Sequence, residues 1–273
     1  MDKYLSIITN FGCHGRCPYC VVRENGINVP ETTLFGLNNL KNTIEETGAN
    51  IVSVSGGGDP LHNYKEHKYW YTELFAILNN IGLPIEMHTS YLNSKFPYEK
   101  CKRVVYHLLT LDQLDEITKI EKEIVRVVYV VEKWMTKDDI DYIYDYVQKS
   151  RDIDELSFRQ LVNGNFEEEF HLHDYLKRYH KKKWYYIEQN DYNDYYVEGR
   201  LYKKFSDIGK LSSNEKFVNN RKAVMALDEE FQRKHGAELK SLTASVHKWI
   251  DDEINNGNLV VDGDRIVRKE EKI

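Results

Sequence analysis

Cysteine is scarce in this chain, with four residues in 273. Long apolar runs are missing too, so the sequence offers no candidate for a membrane-spanning helix. The opening stretch, MDKYLSIITN, lacks the basic and apolar segments of a secretory signal. A cytoplasmic location is the resulting expectation. That compartment is reducing, so clustered thiols there point to metal binding or catalysis rather than to disulfides. An excess of positive charge is also absent. The formal net charge is −6, which argues against a general nucleic-acid binder while leaving room for a local basic patch. No internal repeat or long disordered linker interrupts the chain.

What the chain does have is regular alternation. Apolar, β-branched runs at residues 4–9, 51–55, 85–89, 104–109, 124–131 and 156–162 read as strands. Helical patterns fall between them: 34–48 closed by Gly48, 64–82 closed by Gly82, LDQLDEITKIEK after the fourth strand, and 136–150 with Thr136 as N-cap. Six strand–helix units predict an α/β fold with a parallel sheet covered by helices. Periodicity alone leaves an open doubly wound sheet and a partial barrel both standing. In either, the working edge is the carboxyl end of the strands. Beyond about residue 165 the pattern becomes mixed and tyrosine-rich. A hairpin near VEGRLY, helices at 213–235 and 237–255, and a hairpin around Asp262-Gly263 are expected there.

Three of the four cysteines, Cys13, Cys17 and Cys20, share the loop after the first strand, in CHGRCPYC. Structural zinc normally takes four protein ligands. His14 adjoins Cys13, and neighbouring residues seldom face one ion; Cys101 is distant in sequence and reads as an ordinary buried thiol. Three ligands in a C-x3-C-x2-C loop suit a cluster that leaves one iron open to a ligand. After the second strand comes SGGGDP, residues 55–60, a glycine-rich turn ending in an acid.

Taken together and in this order, CHGRCPYC with aromatic Tyr19 before its last cysteine, and Gly57-Gly58-Asp59-Pro60, resemble the radical S-adenosylmethionine (SAM) superfamily. The family's glycine-glycine motif carries Glu where this chain has Asp59, one methylene shorter. The resemblance implies a six-unit (βα)6 partial TIM-like barrel over residues 1–165, with 166–273 as a mixed α/β extension on the substrate side. It implies a 4Fe–4S cluster on Cys13, Cys17 and Cys20, and SAM held near Tyr19, Gly57, Gly58 and Asp59. It further implies an external one-electron donor of flavodoxin or ferredoxin type, reductive cleavage of SAM to a 5′-deoxyadenosyl radical, and hydrogen abstraction from a substrate.

Other residues are placed by their strands. Thr89 and Ser90 end the third strand, within hydrogen-bonding reach of a bound cofactor. Glu132 and Lys133 follow the fifth, either as cofactor contacts or as solvated loop charges. Arg159, inside the sixth, would clamp a carboxylate if it points inward. Arg126 carries the same ambiguity, while His88 and His107 either line the cavity or are satisfied core histidines, the second reading being favoured. The absence of cysteines for auxiliary clusters, and of a domain before Cys13, favours a small or nucleotide-like substrate over peptide modification. An activase that makes a radical on a partner protein is an alternative. So is a zinc-stabilised nucleic-acid-binding module using the basic, aromatic stretch LKRYHKKKWYY.

Overall fold

β-branched and aromatic residues set the strands, and glycines close the helices between them. The computed structural model of the chain describes residues 2–92, 95–120, 123–178, 183–188, 193–210, 248, 252–256, 259–262 and 265–268. The first six strands are β1 (Tyr4–Thr9), β2 (Ile51–Gly56), β3 (Ile85–Thr89), β4 (Arg103–Leu108), β5 (Ile124–Val131) and β6 (Glu155–Val162). They pair parallel in sequence order. Around them lie α1 (Val21–Glu24), α2 (Leu40–Thr47), α3 (Lys68–Ile81) and α4 (Lys137–Lys149). Gly48 and Gly82 end α2 and α3 in the left-handed conformation, at φ 64° and 74°, where a Cβ would be strained. Thr136 caps α4 through a reciprocal box with Asp139.

The connection from β4 to β5 differs from the expected helix. Among the described residues it holds only a 3-10 turn at Asp112–Glu116, after which Ile117 is extended. Side chains compete with helix formation here. Gln113 Oε1 accepts from the amides of Leu109 and Thr110, and Asp152 accepts from the amide of Lys119. The β-branched Ile117, Thr118 and Ile120 add little helix propensity.

Residues beyond 165 continue the same sheet. β7 (Glu168–Glu169) pairs antiparallel with β6, and β8 (Trp184–Ile187) pairs parallel with β6. α5 (His173–Arg178) lies between them. β9 (Asp194–Val197) joins the other end, parallel to β1, and turns into β10 (Arg200–Tyr202), the hairpin expected at VEGRLY. The ten strands run β10-β9-β1-β2-β3-β4-β5-β6-β7, with β8 also on β6. No pairing joins the two ends among the described residues, so this is an α/β partial barrel with mixed strands added at its margins.

The chain divides into two compact units, Met1–Leu211 and Ser212–Ile273. In the second, β11 (Leu259–Asp262) and β12 (Arg265–Arg268) form the expected terminal hairpin. The helix expected at 213–235 lies outside the described residues. Of that at 237–255, only 248 and 252–255 are described, and they are helical.

Alternation along each strand separates two environments. On β3, Ile85 and Met87 are buried in the core with Leu40, Leu74 and Leu78 of the covering helices, while Glu86 and His88 face the concave side. On β5, Val125 and Val127 join that core, and Arg126 and Val130 face the cavity. The apolar face holds the barrel together; the polar face lines a cavity.

Candidate functional site

β1 and β2 end side by side, with Thr9 opposite Gly56. Each runs into a loop at the carboxyl end of the sheet, and the two loops are packed backbone to backbone. A Cβ on Gly58 would lie 2.1 Å from the carbonyl oxygen of Gly12, and one on Gly57 would lie 2.6 Å from Val29. Neither position admits a side chain. The Asp59 amide donates to Gly12 O at 3.0 Å and the Gly57 amide to Thr9 O at 2.7 Å. The glycine turn is thus moulded to the cysteine loop.

Asp59 is buried, with 4% of its surface exposed. Its Oδ1 accepts from the Leu61 amide at 2.9 Å and the Thr89 hydroxyl at 2.7 Å. Its Oδ2 accepts from the Ser90 amide at 2.7 Å and the Ser90 hydroxyl at 2.8 Å. Asp59, Thr89 and Ser90, named separately from sequence, therefore form one hydrogen-bonded unit linking the β2 loop to the end of β3. Ser90 Oγ also lies 3.5 Å from His14 Nε2, which extends the unit to the cysteine loop. The His14 ring packs on Tyr91, with centroids 3.6 Å apart.

The thiols stand on the open side of this unit. Cys13 is exposed, and Cys17 and Cys20 are partly so. Cys13 Sγ accepts from the Gly15 amide at 3.3 Å. The sulfurs of Cys13 and Cys17 both lie 3.6 Å from the point a Cβ on Gly15 would occupy. Burial pushes the Cys17 thiol up, and the charges of Cys13 and Cys20 add to that rise. Cys13 is raised too, by burial first and then by Asp59 and Cys20. The three sulfurs thus feel one another. They are not gathered round one point: among the described residues no group of three or more His, Cys, Asp or Glu side chains is placed to hold a single metal ion. Cys101 is buried away from them, its thiol pushed up to about 12 by burial and by Glu123 and Glu99.

Below the loops lies a cavity of about 610 Å³. Tyr19, Ser55 and Gly56 line its upper part, and Ser6, Ser53, His88, His107 and Arg159 its walls. Arg159 therefore points inward, as does Arg126. Tyr19 is half-buried, and its hydroxyl is raised by burial and by Cys17 and Glu132. Lys133 is not brought to the cavity: its side chain is exposed and pairs with Glu169 at 2.8 Å.

Charged groups close the amino-terminal end of the strands. Glu86 accepts from Tyr4 at 3.1 Å and pairs with Arg103. Arg103 pairs with Glu155 at 3.0 Å, and Arg126 donates to Glu155 at 2.7 Å while lying 4.5 Å above the Tyr185 ring. Burial pushes the Glu86 carboxyl up, but His88, Arg103 and Arg126 outweigh it and hold it at about 2.

Sequence reasoning passed over Glu86 and the Ser6–Ser53 pair, whose hydroxyls are 2.8 Å apart; His88 and His107, for which it weighed core against cavity, line the cavity, and His88 is also buried. The signal was present in the parity of the strands, where polar residues recur at every second position. The extension also supplies lining residues: Phe166, Tyr186, Ile187, Asn193, Tyr195 and Phe205. The aromatic residues of LKRYHKKKWYY that are described turn largely inward. Trp184 is buried, Tyr186 faces the cavity, and Lys177 pairs with Glu188 at 2.9 Å. Among the described residues no helix is long and apolar enough to cross a membrane.

Comparison with known proteins gives a fold. No protein-family model and no curated protein matches the chain. Among solved structures, Streptococcus suis SuiB bound to precursor peptide SuiA is similar at a TM-score of 0.54 and 14% identity, over 78% of this chain. SuiB bound to S-adenosylmethionine is similar at a TM-score of 0.47 and 14% identity, over 68% of this chain and 48% of that one. This chain spans 62% of the length of the SuiA-bound SuiB chain. The architecture is shared; the chemistry has to be argued from the residues.

Proposed function

We propose that the chain is a radical SAM enzyme. The observation that carries this reading is the joining of three parts at one strand end: the three-thiol loop, the glycine turn moulded to it, and the Asp59–Thr89–Ser90 unit, all above a cavity. The thiols suit a 4Fe–4S cluster. Each would bind its own iron, so ligands to a cluster stand farther apart than ligands to one ion. Cys13, Cys17 and Cys20 would hold it, and an external one-electron donor would reduce it. When bound, cluster and SAM supply a 5′-deoxyadenosyl radical that abstracts hydrogen.

The chain's own residues do the positioning. Gly57 and Gly58 fix the turn against the cysteine loop, and Asp59 fixes the end of β3 relative to both. Asp59 is held by neutral donors, so its negative charge favours a cationic group such as the SAM ammonium nearby. Tyr19 borders the upper cavity and Arg159 its wall, where a guanidinium suits a carboxylate. Lys133, exposed and paired, has no place in this scheme. We divide the chain by role at residue 165, the core before it and a substrate-side extension after it. The lining residues from Phe166 to Phe205 support that division, because a radical must be kept from water and stray donors.

For the substrate, a small or nucleotide-like molecule fits a cavity of this size, whose lining mixes polar groups with apolar ones such as Ile8, Val130 and Phe166. A peptide is the second reading, favoured by the fold shared with SuiB, which was solved bound to precursor peptide SuiA. Anaerobic purification tests the main proposal. It expects brown protein with iron and sulfide that releases 5′-deoxyadenosine from SAM under reduction. Colourless protein carrying zinc would overturn it.

A further inference from the structure

Two imidazoles in the cavity wall have no part in the proposal above. His88 Nδ1 and His107 Nε2 are 3.0 Å apart. Such a bond needs one N–H and one lone pair, so the two rings must hold complementary tautomers. The other nitrogen of His88, Nε2, lies 3.8 Å from Glu86 Oε2. Glu86 is ionised, with Oε1 already engaged by Tyr4 and Arg103; at 3.8 Å its second oxygen makes no hydrogen bond to His88 Nε2, but its charge favours an N–H on that nitrogen. His88 Nδ1 is then the acceptor and His107 Nε2 the donor. A lone pair is left on His107 Nδ1.

Accessibility gives this chain of groups a direction. Both rings line the cavity, but His88 is buried and His107 is partly exposed. Burial lowers both pKa values, and that of His107 falls well below the ordinary value. Arg159 faces both rings and lowers them further; Arg126 also lowers His88, and Glu86 alone favours a charge on it. Arg103, Glu155 and Tyr4 complete the charged and titratable surroundings through Glu86. At neutral pH the pair is uncharged, a weak base with a lone pair free to accept a proton.

We infer that His107, backed by His88 and Glu86, is a proton-accepting site for a cavity-bound substrate that ionises an O–H or N–H group. The substrate O–H or N–H bond breaks and its electron pair stays on the substrate atom. The proton joins His107 Nδ1, and His107 Nε2 passes its own proton to His88 Nδ1. The single positive charge gained rests on His88, against the Glu86 carboxylate. No electron is transferred, and the site stands whether or not the thiol loop holds a cluster.

Nuclear magnetic resonance of the full chain with ¹⁵N-labelled histidine tests this directly. We expect scalar coupling across the hydrogen bond between His88 Nδ1 and His107 Nε2, neutral rings at pH 7, and uptake of one proton in acid that appears first on His88. Glu86→Gln should lower the pair's proton affinity at least tenfold, about one pH unit. Diethylpyrocarbonate, which modifies neutral imidazole, should label His107 in the folded chain and spare His88. Absence of the coupling, independent titration of the two rings near the ordinary value, or labelling of His88 in preference to His107 would each overturn the relay. The unmodified protein suffices for all but the Glu86→Gln arm, so the relay stands or falls on the parent chain even where that variant fails to fold.

Discussion

The barrel buries carboxylates at both ends, and it satisfies them in opposite ways. At the mouth, Asp59 accepts four hydrogen bonds from neutral amides and hydroxyls. At the floor, Glu86 and Glu155 are matched by Arg103 and Arg126. Neutral donors fix an acid in place and leave its charge uncancelled; guanidinium partners fix it and cancel the charge. The mouth therefore keeps a field that favours a cation, whereas the floor is a clamp between strands. We read the first arrangement as a binding device and the second as a clamp between strands.

The strongest way to break this comparison is at the thiols. Replacing Cys13, Cys17 or Cys20 singly with Ala should abolish stable iron binding, since three ligands leave none to spare, while thermal unfolding of the apo chain stays unchanged. Cys101→Ala should leave iron content as it is. Iron and sulfide assays after anaerobic reconstitution decide it; retention of iron in Cys13→Ala with its loss in Cys101→Ala would reverse the assignment.

At the floor the effect should fall on stability alone. Arg103→Ala strands Glu86, while Glu155 keeps Arg126, and should cost about 3–5 kcal/mol in denaturant unfolding. Iron loading of the folded fraction should persist. A variant as stable as the parent would show that the floor is no clamp.

Acid should undo the floor in two stages. His88 and His107 are lowered in the folded state, so the stability tied to their neutral forms is full above the ordinary histidine value of about 6.5 and declines as pH falls through it. Glu86, held at about 2, contributes stability that is full above the ordinary carboxyl value of about 4.3 and is lost as pH falls from there toward 2. The second stage is worth about 3 kcal/mol. Melting temperatures across this range in the parent and in Glu86→Gln separate the two, because the variant should lack the lower stage.

Asp59→Asn sharpens the mouth side. The amide keeps the size but turns one acceptor into a donor facing other donors, a cost of about 1–3 kcal/mol. Iron content should survive and SAM affinity should weaken; calorimetry with unchanged affinity would remove Asp59 from the site. Smallest of all is Lys133→Ala. Its pair with Glu169 is exposed, so stability should shift by less than about 1 kcal/mol, with iron and SAM binding untouched.

Much of this was legible in the sequence because it rests on local chemistry. The helix ends at Gly48 and Gly82, the Thr136 cap and all six core strands follow from short-range rules. The loop thiols and the glycine turn were visible as motifs. What was hidden depends on distant partners. Nothing local tells Lys133 to pair with Glu169, or Asp59 to meet the hydroxyls of Thr89 and Ser90, thirty residues on. The β4–β5 connection misled because its apolar spacing is helical while its side chains bind backbone elsewhere. For the two histidines core and cavity both stood open, because a residue can be both buried and cavity-lining, and composition does not separate the two.

The three consecutive glycines carry a consequence for how this sequence can change. Each is held by a different obstacle: Gly56 by the Gly58 carbonyl 1.8 Å from its would-be Cβ, Gly57 by Val29, and Gly58 by Gly12. They are three separate constraints that happen to be adjacent. Relief at one gives no freedom at the next, and even Val29→Ala would leave its Cβ 2.7 Å from a Cβ on Gly57. The two backbone obstacles cannot be trimmed by substitution at all. Descent from this sequence therefore keeps Gly56 and Gly58 or moves both loops together, and a duplicate that lost its chemistry would still carry those two glycines for as long as it folded.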